Sequence, residues 1–253
     1  MDNIFQIFLC KEKYREENLR EHAEFFNTAR QNMLAVYPEY QYNLYTNVEA
    51  AQFVKAFSPA VHRAYWTLAP FAYRADLLRL CLLYEYGGWY FDLPARPLFR
   101  FDLDKDCLFE RDEHTHNSRF FENFVLYAKP KSKFLEVCID KIVDNIHNKK
   151  YVGSLRISGP LLLAEVLEQN VYLQSTMSIY SYQAAREAIV VNDTVFAIHK
   201  TGQLGFQQPG IDYLGFKGVN VYHDLYESKL AYITPWNMHL LCHVTDTQEI
   251  VYA

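Results

Sequence analysis

Two carboxylates and one guanidinium stand out by type and spacing. Asp76 and Arg79 sit three residues apart in Arg74-Ala-Asp76-Leu-Leu-Arg79, inside an otherwise apolar stretch. On a helix this spacing puts both side chains on one face. Such a pair is either an edge salt bridge or a charged pair that faces a polar pocket. Further on, Gly87-Gly88 turns the chain, and Asp92 closes the aromatic run Trp89-Tyr90-Phe91. An acidic residue at the carboxyl end of a central strand in an α/β sheet lies where ligands bind. There it can hold a divalent cation and the phosphates which that cation neutralises. The local alternatives are a turn-starting Asp and a glycine helix stop.

Other candidates carry less. His114 and His116, flanked by Asp112 and Glu113, have metal-ligand chemistry but read as a solvated loop. Asp102-Leu-Asp104 lacks a Gly-Gly-aromatic strand before it and reads as a surface turn. Glu110, Asp112 and Asn117 follow a strand, and the sequence does not decide whether one faces an acceptor. There is no Walker loop, Gly-x-Gly-x-x-Gly fingerprint or serine triad order.

The elements that must position these groups follow from periodicity. Ile4 to Leu9 reads as a buried first strand and Tyr40 to Leu44 as a second. Helices are expected over Glu12 to Leu34, Val48 to Phe57, Phe71 to Tyr86 and Phe134 to His147. Trp89 to Phe91 and Phe124 to Tyr127 read as strands. Ser158-Gly159-Pro160 opens a further helix through Leu167, with Ser158 as its cap. Alternating strands and helices predict an α/β fold with a largely parallel sheet covered by helices, as a single domain over residues 1–253.

Composition narrows the function classes. Half of the 253 residues are apolar and 22% are charged, which suits a folded core. A net charge of −5 argues against nucleic acid or an anionic membrane as partner. Cys10, Cys81, Cys107, Cys138 and Cys242 are scattered and odd in number, which fits buried thiols in a reducing compartment. No signal peptide is expected, because Met1 leads straight into the short run Ile4 to Cys10, and no spanning segment, because Leu77 to Phe91 is broken by Arg79, Glu85, Gly87 and Gly88. The expectation is a cytoplasmic protein, with peripheral docking on a membrane left open.

In the order Arg-Ala-Asp-Leu-Leu-Arg then Tyr-Gly-Gly-x-Tyr-x-Asp, the chain resembles glycosyltransferase family 32, the DXD sugar-binding-region transferases. These are relatives of the yeast initiating mannosyltransferase and, more distantly, of the clostridial glucosylating toxins. Phe5-Gln6-Ile7-Phe8-Leu9 resembles the family's opening strand, and Tyr37 to Tyr45 its "NPDYEYKLW" stretch. Asn123 to Ala128, Ile157 to Pro160 and Val221-Tyr222-His223 resemble its later elements.

The resemblance implies a GT-A fold that binds a nucleotide diphosphate sugar, UDP- or GDP-linked, and transfers the sugar with retention to a glycan or other hydroxyl acceptor. It implies catalytic roles for Asp76, Arg79 and Asp92, and donor binding by Phe8, Asp76, Arg79, Gly88 and Asn123. A divalent metal, Mn2+ or Mg2+, would sit on Asp92 and His223. One departure weighs against an intact metal site. Where the family has Asp-x-Asp this chain has Asp92-Leu93-Pro94, and proline offers neither a side-chain oxygen nor an N–H. The competing expectation is therefore an impaired relative that binds nucleotide sugars or acts as a scaffold. A glycosidase would need two opposed carboxylates, and no such pair presents itself.

Overall fold

The apolar run near the N-terminus forms β1 (Asn3–Ile7), which lies between two parallel neighbours, β2 (Gln41–Tyr45) and β3 (Gly88–Phe91). The computed structural model describes residues 2–68, 71–112, 119–150, 154–199, 242–244 and 250–252. The expected helix over Glu12 to Leu34 is divided. A 3-10 turn at Glu12–Tyr14 leads into α1 (Arg15–Glu21) and α2 (Ala23–Val36), which break at His22. No glycine or proline marks that break in the sequence.

Thr46 and Glu49 form a reciprocal capping box that starts α3 (Asn47–Phe57). Ser58-Pro59 then opens α4 (Pro59–Thr67). The Ser58 hydroxyl accepts from the Val61 N–H at 3.1 Å, and proline is tolerated in the first turn because its missing N–H has no partner there anyway. A Ser-Pro pair that reads as punctuation is thus also the start of a helix.

α5 (Phe71–Tyr86) is buried over most of its length, including Asp76, Leu77, Leu78, Arg79 and Leu80 to Leu83. A helix that is apolar nearly all round belongs inside a protein. Near its N-terminus Arg74 is held by a 2.6 Å bond from Nε to the Leu68 carbonyl, under the rings of Tyr65, Trp66 and Phe71. Gly87 ends the helix with φ +67, a left-handed conformation that favours glycine.

Beyond β3 come β4 (Ala95–Pro97), β5 (Asp106–Arg111), β6 (Phe121–Ala128), α6 (Lys133–His147), α7 (Ser154–Ile157), α8 (Pro160–Gln169) and α9 (Val171–Gln174). They are followed by β7 (Met177–Gln183), β8 (Ala188–Val191) and β9 (Thr194–His199). A separate antiparallel pair joins β10 (Cys242–Val244) to β11 (Ile250–Tyr252). Among the described residues the main sheet runs β2-β1-β3-β6-β5-β7-β8-β9-β4. Its parallel ladders are β1 with β2, β1 with β3, and β5 with β7; the remaining ladders are antiparallel. The α/β class is as expected, and the sheet is mixed: hairpin-type pairing supplies its far half.

This order forces the sheet to curl. β3 and β4 stand six strand positions apart, which is about 29 Å across a flat sheet. Yet only Asp92, Leu93 and Pro94 join them, a link that reaches at most about 14 Å. The far edge therefore bends back over β3. The aromatic core inside the curl records this, with Trp89 and Phe196 ring centroids 5.3 Å apart. A second core lies under α3 to α6 and α8 and includes Phe5, Leu77, Leu80, Phe121, Ile142 and Leu162. Among the described residues no helix is long and apolar enough to cross a membrane.

Gly88 is required by packing. It has φ +104, and a Cβ placed there would meet the Asn3 carbonyl oxygen at 2.2 Å. Backbone cannot yield as a flexible side chain can. Gly88→Ala is expected to cost about 2–4 kcal/mol, as strain and overpacking of this kind do. Urea unfolding checks this; a loss below half a unit would show that β1 and β3 separate easily.

Candidate functional site

The short Gly87-Gly88 turn sends β3 back alongside the helix it has just left, so the end of β3 returns to the middle of α5. Asp76 and Arg79 on α5 thereby meet Asp92, the first residue past β3. Arg79 Nη2 lies 3.0 Å from Asp76 Oδ1, and Arg79 Nη1 lies 3.2 Å from Asp92 Oδ1. Arg79 Nη1 also donates to the Asn123 carbonyl at 2.5 Å, and Nε to the Ala75 carbonyl at 3.3 Å. The pair at Asp76 and Arg79 is not an edge salt bridge: both residues are buried. Asp92 is the more open carboxylate, with 23% of its side chain accessible against 11% for Asp76.

Each carboxylate has further donors. Tyr90 and Asp92 lie two apart on one strand and so share a face. The Tyr90 hydroxyl donates to Asp92 Oδ1 at 2.5 Å, and its ring lies 4.5 Å from the Arg79 guanidinium carbon. Asn123 on β6 donates through Nδ2 to Asp76 Oδ1 at 2.9 Å, and the Ser158 hydroxyl donates to Asp76 Oδ2 at 3.2 Å. Ser158 was expected to cap the following helix. The cap of α8 is Gly159 instead, without a side-chain bond, and the serine oxygen turns to the Asp76 carboxylate. Nothing in the local sequence signals this use, because the partner is 82 residues away.

Phe8, just past β1, belongs with Leu93 and Phe26 to a small apolar cluster beside the Asp92 turn; its ring meets that of Phe26 at 5.1 Å. Gly88 lies at the other end of β3 and is not part of the charged group. His223 lies outside the described residues, as do His114, His116 and Asn117. Glu110 pairs with Arg119 at 2.8 Å, and Asp112 accepts from the Ala184 N–H at 3.0 Å. Asp102 is exposed and pairs with Arg100 at 2.8 Å, the surface turn expected for that segment.

The curl also brings in a residue the sequence did not single out. His199 ends β9 opposite Ala95, the residue that follows the Asp92-Leu93-Pro94 turn. Its ring stacks on Phe124 with centroids 4.2 Å apart, and the Phe124 carbonyl accepts the Asp92 N–H at 2.7 Å. Only the β4–β9 pairing places His199 there.

The residues fit a divalent cation in part. Asp92 Oδ1 takes both the Arg79 and Tyr90 donors, and neither engages Oδ2. Asp92 can therefore give one carboxylate oxygen. Among the described residues no group of three or more His, Cys, Asp or Glu side chains converges on one point. Pro94 is buried in the turn that the Ala95 N–H closes on the Asp92 carbonyl at 2.9 Å.

Burial pushes the Asp76 carboxyl up from its ordinary 3.8 to about 6, and nearby Asp92 adds to this; Arg79, Ser158 and Asn123 act against it. Between about pH 4 and pH 6 the folded form therefore holds a proton that the unfolded chain has lost. Stability contributed by this group falls as pH rises through that window and is level above it, a change on the order of 3 kcal/mol. Asp76→Asn is expected to remove that fall. Urea titrations of both forms at pH 4.5 and pH 7.5 measure it, and an identical pH slope in the two would refute the assignment.

Residues 23–109, which span Asp76, Arg79 and Asp92, match the family model described as the glycosyltransferase sugar-binding region containing the DXD motif. No curated protein matches the chain. Among solved structures, the PaToxG glycosyltransferase is 17% identical, over 68% of this chain and 70% of that one, with a TM-score of 0.46. The UDP-bound glycosyltransferase domain from the YGT toxin is 11% identical, over 64% of this chain and 56% of that one, with a TM-score of 0.41. The ligand-free form of that domain gives 12%, 64%, 57% and 0.38. Over residues 23–109, the stretch that carries Asp76, Arg79 and Asp92, this chain is similar to the sugar-binding region of DXD-motif glycosyltransferases.

Proposed function

We propose that this chain is a single GT-A transferase domain that moves a sugar, with retention, from a UDP- or GDP-sugar to a glycan or other hydroxyl acceptor. The observation that carries the reading is the junction of Asp76, Arg79 and Asp92 at the end of β3, inside the matched range. Charge on a departing nucleoside diphosphate grows in the transition state, and a preoriented cation there lowers the barrier without reorganising. Arg79 is such a cation. Asp76, held by Asn123 and Ser158, keeps a fixed orientation for accepting sugar hydroxyls. A Mn2+ or Mg2+ ion, when bound, supplies Lewis-acid stabilisation of the same charge. Asp92 would hold it, with His223 as the second ligand. The proposed place of action is the cytoplasm, for which the free buried thiols of Cys10, Cys81, Cys107 and Cys138 are support.

Thermal-shift measurements with UDP- and GDP-hexoses, each with and without Mn2+, test the core of this reading. A ligand that binds only the folded state raises the midpoint by mass action. At least one donor is expected to do so, and a panel without any shift would sink the proposal. Arg79→Lys keeps the charge but loses the fork that joins Asp76 to Asp92. It is expected to lower donor affinity at least about tenfold, as loss of a charge-assisted pair does. Arg79→Ala is the poorer test, because it strands a buried carboxylate at a cost of about 3–5 kcal/mol.

Pro94 makes a separate prediction. Carboxylate ligands set affinity for hard cations, and one is missing here. Pro94→Asp is expected to tighten Mn2+ binding in the presence of UDP or GDP by about tenfold or more, since each added ligand charge tunes such sites over decades. Calorimetry on both forms reads this directly. Equal affinity would mean that another carboxylate already fills the role.

A further inference from the structure

We propose that Gln6, held by Tyr42, is a positioning residue that fixes the peptide of Asp92 and so the turn on which the site stands. The inference rests on reading Asp92 as part of the donor site. Gln6 is fully buried, at 0% exposure, one residue before the end of β1. A buried primary amide with unmet groups is costly, so its partners matter. Its Nε2 donates to the Asp92 carbonyl at 3.3 Å, and its Oε1 accepts from the Tyr42 hydroxyl at 2.7 Å. The Tyr42 phenol lies 6.0 Å under the Arg30 guanidinium, and burial raises its pKa, so it stays a donor. That fixes the amide orientation: oxygen toward Tyr42, nitrogen toward Asp92.

The place of this bond in the sheet gives it consequence. The register between β1 and β3 ends at Phe5 opposite Tyr90, two residues before Asp92. On the β6 flank the Asp92 N–H still has a backbone partner, the Phe124 carbonyl. On the β1 flank a side chain continues where the ladder stops. The Asp92 carbonyl then takes two donors, Gln6 Nε2 and the Ala95 N–H that closes the turn over Leu93 and Pro94. Only a side chain that both accepts and donates can bridge Tyr42 to that carbonyl. Leucine does neither, and an ionised glutamate cannot donate.

The test uses Gln6→Leu and Gln6→Glu in the full chain, with two readouts. The first is hydrolysis of whichever UDP- or GDP-hexose the wild type turns over fastest. The second is hydrogen exchange at the Ala95 amide, which needs no activity. Gln6→Leu is expected to lower kcat by about ten- to a hundredfold, as loss of an outer hydrogen-bond partner does. KM should stay nearly unchanged, and exchange at Ala95 should speed up while amides of β5 keep their protection. In Gln6→Glu the protonated acid can still donate to Asp92. Its kcat relative to wild type should therefore be highest at low pH and fall as the buried acid ionises, a limb the wild type lacks. Should Gln6→Leu fail to fold, the pH limb of Gln6→Glu decides. Wild-type exchange at Ala95 in Gln6→Leu, or a Gln6→Glu variant whose relative kcat is flat with pH while folded, overturns the proposal. A wild type that turns over no donor overturns the functional reading instead, and the Ala95 exchange still decides the role of Gln6.

Discussion

A single buried guanidinium holds two carboxylates that would otherwise repel each other. Arg79 reaches Asp76 with one terminal nitrogen and Asp92 with the other, over the face of Tyr90. Burying charge is costly unless it is paired and hydrogen-bonded. Each member of this group meets that condition through a different element: Asn123 from β6, Ser158 from the segment before α8, and Tyr90 from β3. The site is therefore also a joint between α5, the sheet and α8, and the fold around it has little freedom to shift.

The cost that remains is visible in Asp76. Its carboxyl is held near pH 6 by burial despite three stabilising partners. A buried acid poised in this way is poor engineering for stability alone, whereas perturbed acids gather at functional sites. Asp92 plays the other part. It is more open, its turn is braced on both flanks by Phe124 and Gln6, and its second oxygen is left to neither Arg79 nor Tyr90. Pro94 stiffens the same turn and offers no side-chain oxygen there.

The curl of the sheet is the second constraint. A three-residue link between β3 and the far edge strand closes an aromatic core around Trp89, Phe91 and Phe196. It also brings His199 beside the turn that carries Asp92. Both the core and the neighbourhood of Asp92 thus depend on one short connection.

Much was legible in the residues themselves. The three-residue spacing of Asp76 and Arg79, the glycine stop and the aromatic strand ending in Asp92 are local patterns, governed by helix and strand periods, and they placed the α5–β3 unit. The need for glycine at position 88 was legible only as a turn, since its real cause is the Asn3 backbone across the ladder. Ser58-Pro59 misled because the same pair can end one segment and begin a helix. Ser158, Gln6 and His199 showed no local signal, because their partners lie 82 residues away, 86 residues away and across the far edge of the sheet. The sequence by itself determined which short segments form and which charged groups share a face. Only the tertiary structure decided that Asp76 and Asp92 share a buried Arg79 guanidinium, because the Asn123 and Ser158 donors that meet the buried Asp76 come from β6 and from the segment before α8, a placement that no local period encodes.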